Sequence, residues 1–471
     1  MTDPLDALKE GLRPFEEAEA ALVRSVVTTA PWLTDAEEGA LRYALNLARV
    51  GLVRTPDGSD VDLGPALLPL RDEVMAAVPA LTAPGGPDRL AAGRLAATLG
   101  PRAAEFRARA VAVSGGRLTP DALDREVCEK ALVVVCGGGG AVAWSYLAAF
   151  QLLDQYGLAP RLLAGTSMGA ALALFRARRH RWHPEDLAQV TTQLSWRSVF
   201  RFLQSESRYG LPAAMRLYLR AALGDYLRGP DGHPLTLGQL AVPLVVAVTG
   251  VRNGALPRDP AYYEHLLDFA GREERPNLLS RMATEVFQAV GELLMQRDRF
   301  ARVYLGGDEE TRDFDAIDAV GFSSALPGVI HYDVLRDDER MKHLLDGLFA
   351  RHDLFRLVDG GLVDNLPARA AWAAVQRGLA GGRRNAFVLG LEGFGPKLSQ
   401  PLWYGIEQLA AANVAWNKPF VHLYKSFQRV LAPSDIIPDP DDLKRAVNDA
   451  KGELHPEMTF LAHMVRPFQA V

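Results

Sequence analysis

Apolar residues recur at helical spacing through "DALKEGLRPFEEAEAALVRSVV" and "DAEEGALRYALNLARVGLV", which predicts amphipathic helices near the N-terminus. Thr34-Asp35-Ala36-Glu37 is a helix start, with acidic residues in the first turn. Turn-rich breaks fall at 82–89, "TAPGGPDR", and 114–120, "SGGRLTP". Residues 1–127 therefore read as a helical extension. At residue 131 the pattern changes. "ALVVVC" is a continuous β-branched run, the mark of a strand buried on both faces. A glycine loop and the helical run "VAWSYLAAFQLLDQYG" follow, then the short strand "RLLA", the turn "GTSMG" and the helix "AALALFRARRH". That alternation predicts a parallel α/β sheet. Further strands are expected at "PLVVAVTGV" (243–251), "RLVDGG" (356–361) and "NAFVLGLEG" (385–393). Asn365-Leu366-Pro367 is expected to open a helix, with Asn as its cap. The pattern predicts a three-layer α/β/α domain with a mostly parallel central sheet over about 128–400. Helical cap insertions are expected within it over about 180–240 and 258–305. A helical C-terminal extension, 401–471, completes the chain.

Composition narrows the class. The chain has 471 residues, 48% hydrophobic and 23% charged, as in an ordinary globular protein. A net charge of −5 gives no electrostatic case for nucleic acid. Two cysteines, Cys128 and Cys136, make neither a disulfide framework nor a zinc site and fit a reducing compartment. No basic, apolar leader opens the sequence and no run reaches about 18 apolar residues, so a cytoplasmic protein is expected.

Chemistry concentrates in three places. "GTSMG" sets Ser167 between Gly165 and Gly169, after a strand and before a helix. A sharp strand-to-helix turn needs small neighbours and presents a hydroxyl at the sheet edge. The rival reading is an ordinary turn. Four glycines, Gly137 to Gly140, can turn backbone N–H groups toward a developing oxyanion. A phosphate loop is the alternative, but Ala143 replaces the last glycine of a dinucleotide fingerprint and there is no Walker lysine. No histidine lies near the serine in sequence. His331, after "SSALPGVI", is one candidate base. Asp359, followed by Gly360-Gly361 at a strand end, is the other. An ordinary aspartate, with a pKa near 3.9, is a poor base at neutral pH, so this role requires burial.

In order and context these elements resemble the patatin-like phospholipases. The loop is similar to that family's G-G-G-x-[RK]-G, "GTSMG" to its G-x-S-x-G, and "VDGGLVDNLPARAA" (358–371) to its D-G-G-x-x-x-N-x-P run. "SSALPGVI" (323–330) resembles its A-S-x-A-x-P-x-x-F stretch. The resemblance covers about 130–395. It implies a Ser–Asp dyad without histidine, with Ser167 as nucleophile and Asp359 as general base. It maps Gly138, Gly139 and Gly140 onto the oxyanion loop, with the Met168 amide as a further donor. It implies a lipid acyl hydrolase, acting on phospholipids or other acyl-ester lipids through an acyl-enzyme, with no cofactor and no metal. One departure stands out. Val142 falls where the family's basic residue is aligned, and Ala143 where its last glycine is. That keeps two other readings open: a catalytically weakened lipid-binding protein on the same fold, and an acyltransferase.

Residues 195–223 interleave aromatics with arginines, Trp196, Arg197, Phe200, Arg201, Phe202, Arg208, Arg216 and Arg220. They read as a basic amphipathic helix, either lying on an anionic lipid surface or capping the core. The aromatic run over 403–427 reads as core packing. Oligomeric state leaves no mark in the sequence.

Overall fold

A computed structural model describes residues 3–29, 32–183, 185, 195–202, 207–229, 231–255, 261–262, 297–393 and 413–471. Five helices open the chain: α1 (Pro4–Thr28), α2 (Asp35–Arg49), α3 (Gly64–Leu81), α4 (Arg89–Val113) and α5 (Pro120–Cys128). Thr34 and Glu37 form a reciprocal capping box at the start of α2. Phe15, Leu22, Tyr43, Leu47, Leu99 and Phe106 join the core of this helical layer. A small antiparallel hairpin, β1 (Leu52–Arg54) with β2 (Asp60–Asp62), interrupts the helices expected over 1–127.

The strands that follow are β3 (Ala131–Cys136), β4 (Leu162–Thr166), β5 (Phe200–Phe202), β6 (Ala213–Leu217), β7 (Leu244–Arg252), β8 (Phe300–Leu305), β9 (Gly328–His331), β10 (Leu354–Asp359), β11 (Ala386–Glu392) and β12 (Leu423–Ser426). A seven-stranded sheet runs in the order β10-β7-β4-β3-β11-β12, with β8 also paired to β7. The pairs β7–β4, β4–β3, β3–β11 and β11–β12 are parallel; β8 and β10 run antiparallel to β7. Helices α6 (Tyr146–Gln155) and α7 (Met168–Ala177) cross between its strands.

Side chains of β3 alternate between two cores, which is why "ALVVVC" shows no polar face. Leu132, Val134 and Cys136 meet residues of α6 and α7. Ala131, Val133 and Val135 meet Ala371, Trp372 and Val375 of the helix Ala368–Gln376. The fold is thus the expected α/β/α sandwich. Both cysteines are buried and unpaired.

The structure corrects three expectations. Residues 195–223 do not form one amphipathic helix. Their described part is a short helix, Trp196–Val199, then β5 and β6, then a second short helix, Leu219–Leu223. With β9 these strands form a separate three-stranded sheet, in which Phe200 pairs with Leu217 and Arg201 with Arg216. Second, residues beyond 400 are not only helical, because β12 extends the central sheet beside β11. The long helix Pro440–Val465 then packs on α6. Third, Asn365 does not cap the following helix. Asn417 Oδ1 instead accepts the Arg369 N–H, at 2.8 Å. The insertion expected over 258–305 lies mostly outside the described residues, although β8 falls at its end. In the run over 403–427, residues 413–427 are described, and Phe420, Leu423 and Phe427 are buried there as expected.

Candidate functional site

Ser167 stands between β4 and α7 with φ 54° and ψ −132°, a region that non-glycine residues seldom adopt. The strain is held by close packing on both sides. A Cβ on Gly165 would lie 2.6 Å from Ala170 Cα, and one on Gly169 would lie 2.3 Å from the Gly137 carbonyl oxygen. Only glycine fits either place, which accounts for the G-x-S-x-G spacing. The Ser167 N–H donates to Ser323 Oγ at 2.8 Å, and that hydroxyl donates to the Ala247 carbonyl at 2.6 Å. The turn is therefore pinned to β7.

Asp359 arrives from the opposite direction. β4 runs parallel to β7 and ends with Thr166 beside Ala247; β10 runs antiparallel to β7 and ends with Asp359 beside Val248. Because β8 occupies Val246 to Val251 on one edge of β7, β4 and β10 share the other and meet end to end. The Asp359 N–H donates to the Ala325 carbonyl at 2.9 Å, and its carbonyl accepts the Thr249 hydroxyl at 2.7 Å. "SSALPGVI" thus holds both halves of the site, through Ser323 and through Ala325. Burial pushes the Asp359 carboxyl up to about 6, while hydrogen bonding from the Gly361 N–H, at 2.8 Å, and from the Ser167 side chain pulls the other way. A second buried carboxyl, Asp364, is also pushed up to about 6 by burial and accepts from Tyr304 and Asn417 at 2.7 and 2.8 Å.

The glycine loop leaves β3 and packs against the serine. A Cβ on Gly138 would lie 3.3 Å from Ser167 Cβ. The Gly138 N–H is already committed to the Asn365 carbonyl, at 3.1 Å. It therefore anchors the loop, a narrower role than the sequence reading gave it. The amides of Gly139 and Gly140 have no backbone partner among the described residues. Met168 begins α7, so its amide belongs to the unsatisfied first turn of that helix. Val142 is buried, with its side chain against Gly393 at the end of β11.

Ser167, Met168, Asp359, Gly361 and the three glycines 138–140 all line one cavity of about 290 Å³. Its other walls are mostly apolar, including Leu172, Phe175, Val199, Phe200, Met215 and Leu217. His331 is buried in β9 and does not line it, so the structure does not bring that candidate to the serine. Gly165, Gly169 and Gly360 support the turns behind the lining.

Sequence reasoning missed two contributors. Asn365 is buried beside the loop, and its Nδ2 has no hydrogen-bond partner among the described residues. Its place in "DGGLVDN" was the available signal. Pro433, Ser434, Ile436 and Ile437 also line the cavity, from a segment some 270 residues beyond the serine (434 − 167 = 267). No local signal marks them.

A glycine-flanked serine at a strained strand-to-helix turn, beside a buried carboxyl on the wall of an apolar cavity, places the chain among α/β proteins with a mostly parallel sheet and a serine turn at its edge. The family model of the patatin-like phospholipases matches residues 134–372, and the chain belongs to that family. No curated protein matches the chain.

Proposed function

We propose that this protein is a lipid acyl hydrolase of the phospholipase A or esterase type, with Ser167 as nucleophile and Asp359 as general base. The observation that carries this reading is the end-to-end meeting of β4 and β10 on β7, which sets a strained serine beside a carboxyl that burial pushes up to about 6. Such a carboxyl is ionised at neutral pH yet basic enough to accept a proton in the transition state.

In this mechanism Ser167 Oγ attacks the ester carbonyl carbon and its proton passes to Asp359. The carbonyl π pair moves to oxygen, and the amides of Gly139, Gly140 and Met168 hold that oxyanion, with α7 adding its N-terminal dipole. The tetrahedral adduct collapses, the C–O bond to the alcohol breaks, and Asp359 returns the proton to the leaving oxygen. Water repeats the sequence on the acyl-enzyme and releases the fatty acid. No step calls for a metal or cofactor. Asn365 Nδ2, buried beside the loop and without a partner among the described residues, supplies a further donor to bound ester.

The apolar walls suit an acyl chain. Trp196 lines the cavity, is 45% exposed and packs at a tilt against Phe200, with ring centroids 4.9 Å apart. Arg197 and the exposed Arg201 flank it. This rim, rather than a continuous amphipathic helix, is where the protein meets an anionic lipid surface as a peripheral protein. Among the described residues no helix is long and apolar enough to cross a membrane.

The test is fatty-acid release from phosphatidylcholine–phosphatidylglycerol vesicles and from a soluble p-nitrophenyl ester. Wild type is expected to cleave both, and Ser167→Ala neither. A wild type inert toward every ester offered would return the account to the lipid-binding alternative.

A further inference from the structure

We propose that the segment 428–437 is a strap that positions the oxyanion loop, and that Trp144 and Glu453 are its positioning residues. The inference rests on the proposed hydrolase for its catalytic consequence and on the hydrogen bonds alone for its structural one.

Two contacts tie the strap to the loop. The Pro433 carbonyl accepts the Ala141 N–H at 3.1 Å, and the Ile436 carbonyl accepts Trp144 Nε1–H at 3.1 Å. Between them, Asp435 N–H donates to the Ala432 carbonyl at 2.9 Å and closes a turn. Pro433 sits so close over the loop that a Cβ on Gly140, which has φ 58°, would lie 2.3 Å from its carbonyl oxygen. Gly140 is required here by its backbone conformation and by the strap together.

The strap is itself anchored. Its first residues hold the Glu453 carboxylate: the Gln428 N–H donates to Oε1 at 3.2 Å and to Oε2 at 3.0 Å, and the Arg429 N–H donates to Oε1 at 3.0 Å. Glu453 belongs to the long helix Pro440–Val465, and Asp439 caps that helix where the strap ends, accepting the Asp441 N–H at 2.9 Å. Both ends of the strap are therefore fixed to one rigid element. Val142 points away from solvent and packs toward Gly393, so the position aligned with the family's basic residue contributes packing and no charge. The carbonyls of Pro433 and Ile436 supply polar contacts that hold the loop. The same segment brings Ile436 and Ile437 to the cavity wall, so the element that sets the loop also bounds the space for the acyl chain.

The experiment compares wild type with Trp144→Phe, Glu453→Ala and Glu453→Gln. Trp144→Phe keeps an aromatic ring and removes the donor to Ile436. Glu453→Ala frees the start of the strap at a residue that touches neither loop nor cavity. Glu453→Gln keeps one oxygen within reach of both amides and loses only the second contact from Gln428. Hydrogen exchange of the 137–146 backbone is read together with kcat and KM on a short-chain ester. Trp144→Phe and Glu453→Ala are expected to accelerate exchange in 137–146 and lower kcat about ten- to a hundredfold, the scale of a donor displaced by about 1 Å. KM should change less than threefold, and Glu453→Gln should restore both readings. Faster exchange in an enzyme with no measurable turnover would leave the strap standing and remove the hydrolase reading. Unchanged exchange in both variants, or faster exchange with kcat retained, would overturn the strap as a positioning element.

Discussion

Thr166 and Asp359 occupy consecutive places along one edge of β7, Thr166 opposite Ala247 and Asp359 opposite Val248, although they belong to strands that run in opposite directions. The residue after Thr166 is the strained serine, so the two strands deliver a hydroxyl and a carboxyl to one junction. Backbone pairing sets their approach, and the Ser323 and Thr249 hydroxyls fasten it. In the mechanism proposed above no histidine is needed, since burial raises the Asp359 carboxyl to about 6.

The first consequence concerns pH. In the proposed mechanism Asp359 must be ionised to take the serine proton, and burial pushes its pKa up to about 6 from an ordinary value of 3.8. The kcat/KM profile should therefore rise with one ionisation centred near pH 6 and stay level toward pH 8. A profile flat down to pH 4.5 would mean that the working base is an ordinary carboxylate. The stability effect has the opposite sense. A raised carboxyl costs folding free energy as pH rises from about 3.8 to about 6. Asp359→Asn should accordingly be at least as stable as wild type at pH 7, checked by thermal melts.

The serine turn stores strain. A non-glycine residue at φ 54° and ψ −132° costs on the order of 1–3 kcal/mol, and glycine relieves that cost. Ser167→Gly should therefore raise the denaturant midpoint while abolishing hydrolysis. Ser167→Ala should abolish hydrolysis without that gain. Equal stability of the two variants would remove the strain argument.

Asn365 gives a separable test. Its carbonyl holds the Gly138 N–H, while its Nδ2 has no partner among the described residues. Asn365→Ala keeps the first contact and deletes the second. The expected result is about a tenfold loss in kcat with a melting temperature unchanged or higher, because an unsatisfied buried donor costs stability. A large drop in melting temperature with normal turnover would assign the side chain a structural role.

The N-terminal layer is bound to the remainder through buried charge. Lys130 Nζ donates to Glu19 at 2.6 Å, and Arg42 and Arg49 lie within 3.5 Å of the same carboxylate. These cations hold Glu19 down to about 2 against the effect of burial. The stability they confer is present above about pH 4.5 and is lost as pH falls toward 2. Glu19→Gln removes the carboxylate that Lys130 pairs with, while Arg42 keeps Glu38 and Arg49 keeps Glu16, and should cost about 3–5 kcal/mol at pH 7. Its stability should also vary less with pH below 4.5, which acid titration followed by circular dichroism would measure.

How much of this was legible depended on how local each cause is. "ALVVVC" and "GTSMG" announced their structures because burial on both faces and a sharp turn constrain the residues in place. Residues 195–223 misled, since arginines and aromatics were read at helical spacing. The period-two alternation of Phe200, Arg201 and Phe202, and of Met215, Arg216 and Leu217, carried the true signal of paired strands. The β1–β2 hairpin likewise showed its turn in Pro56-Asp57-Gly58. By contrast, β12 and the strap depend on pairing with β11 and on Glu453, contacts that no local pattern encodes. The same holds for the Gly138 N–H, whose partner lies 227 residues away (365 − 138).

The central claim is that Ser167 is a nucleophile activated by Asp359. It is tested most directly by intact-mass measurement after exposure to a fluorophosphonate, with the adduct mapped by peptide sequencing. The account predicts one adduct per wild-type chain, on Ser167, with none on Ser167→Ala and labelling of Asp359→Asn slowed at least a hundredfold. Absence of an adduct on folded wild type, or full-rate labelling of Asp359→Asn, would contradict it.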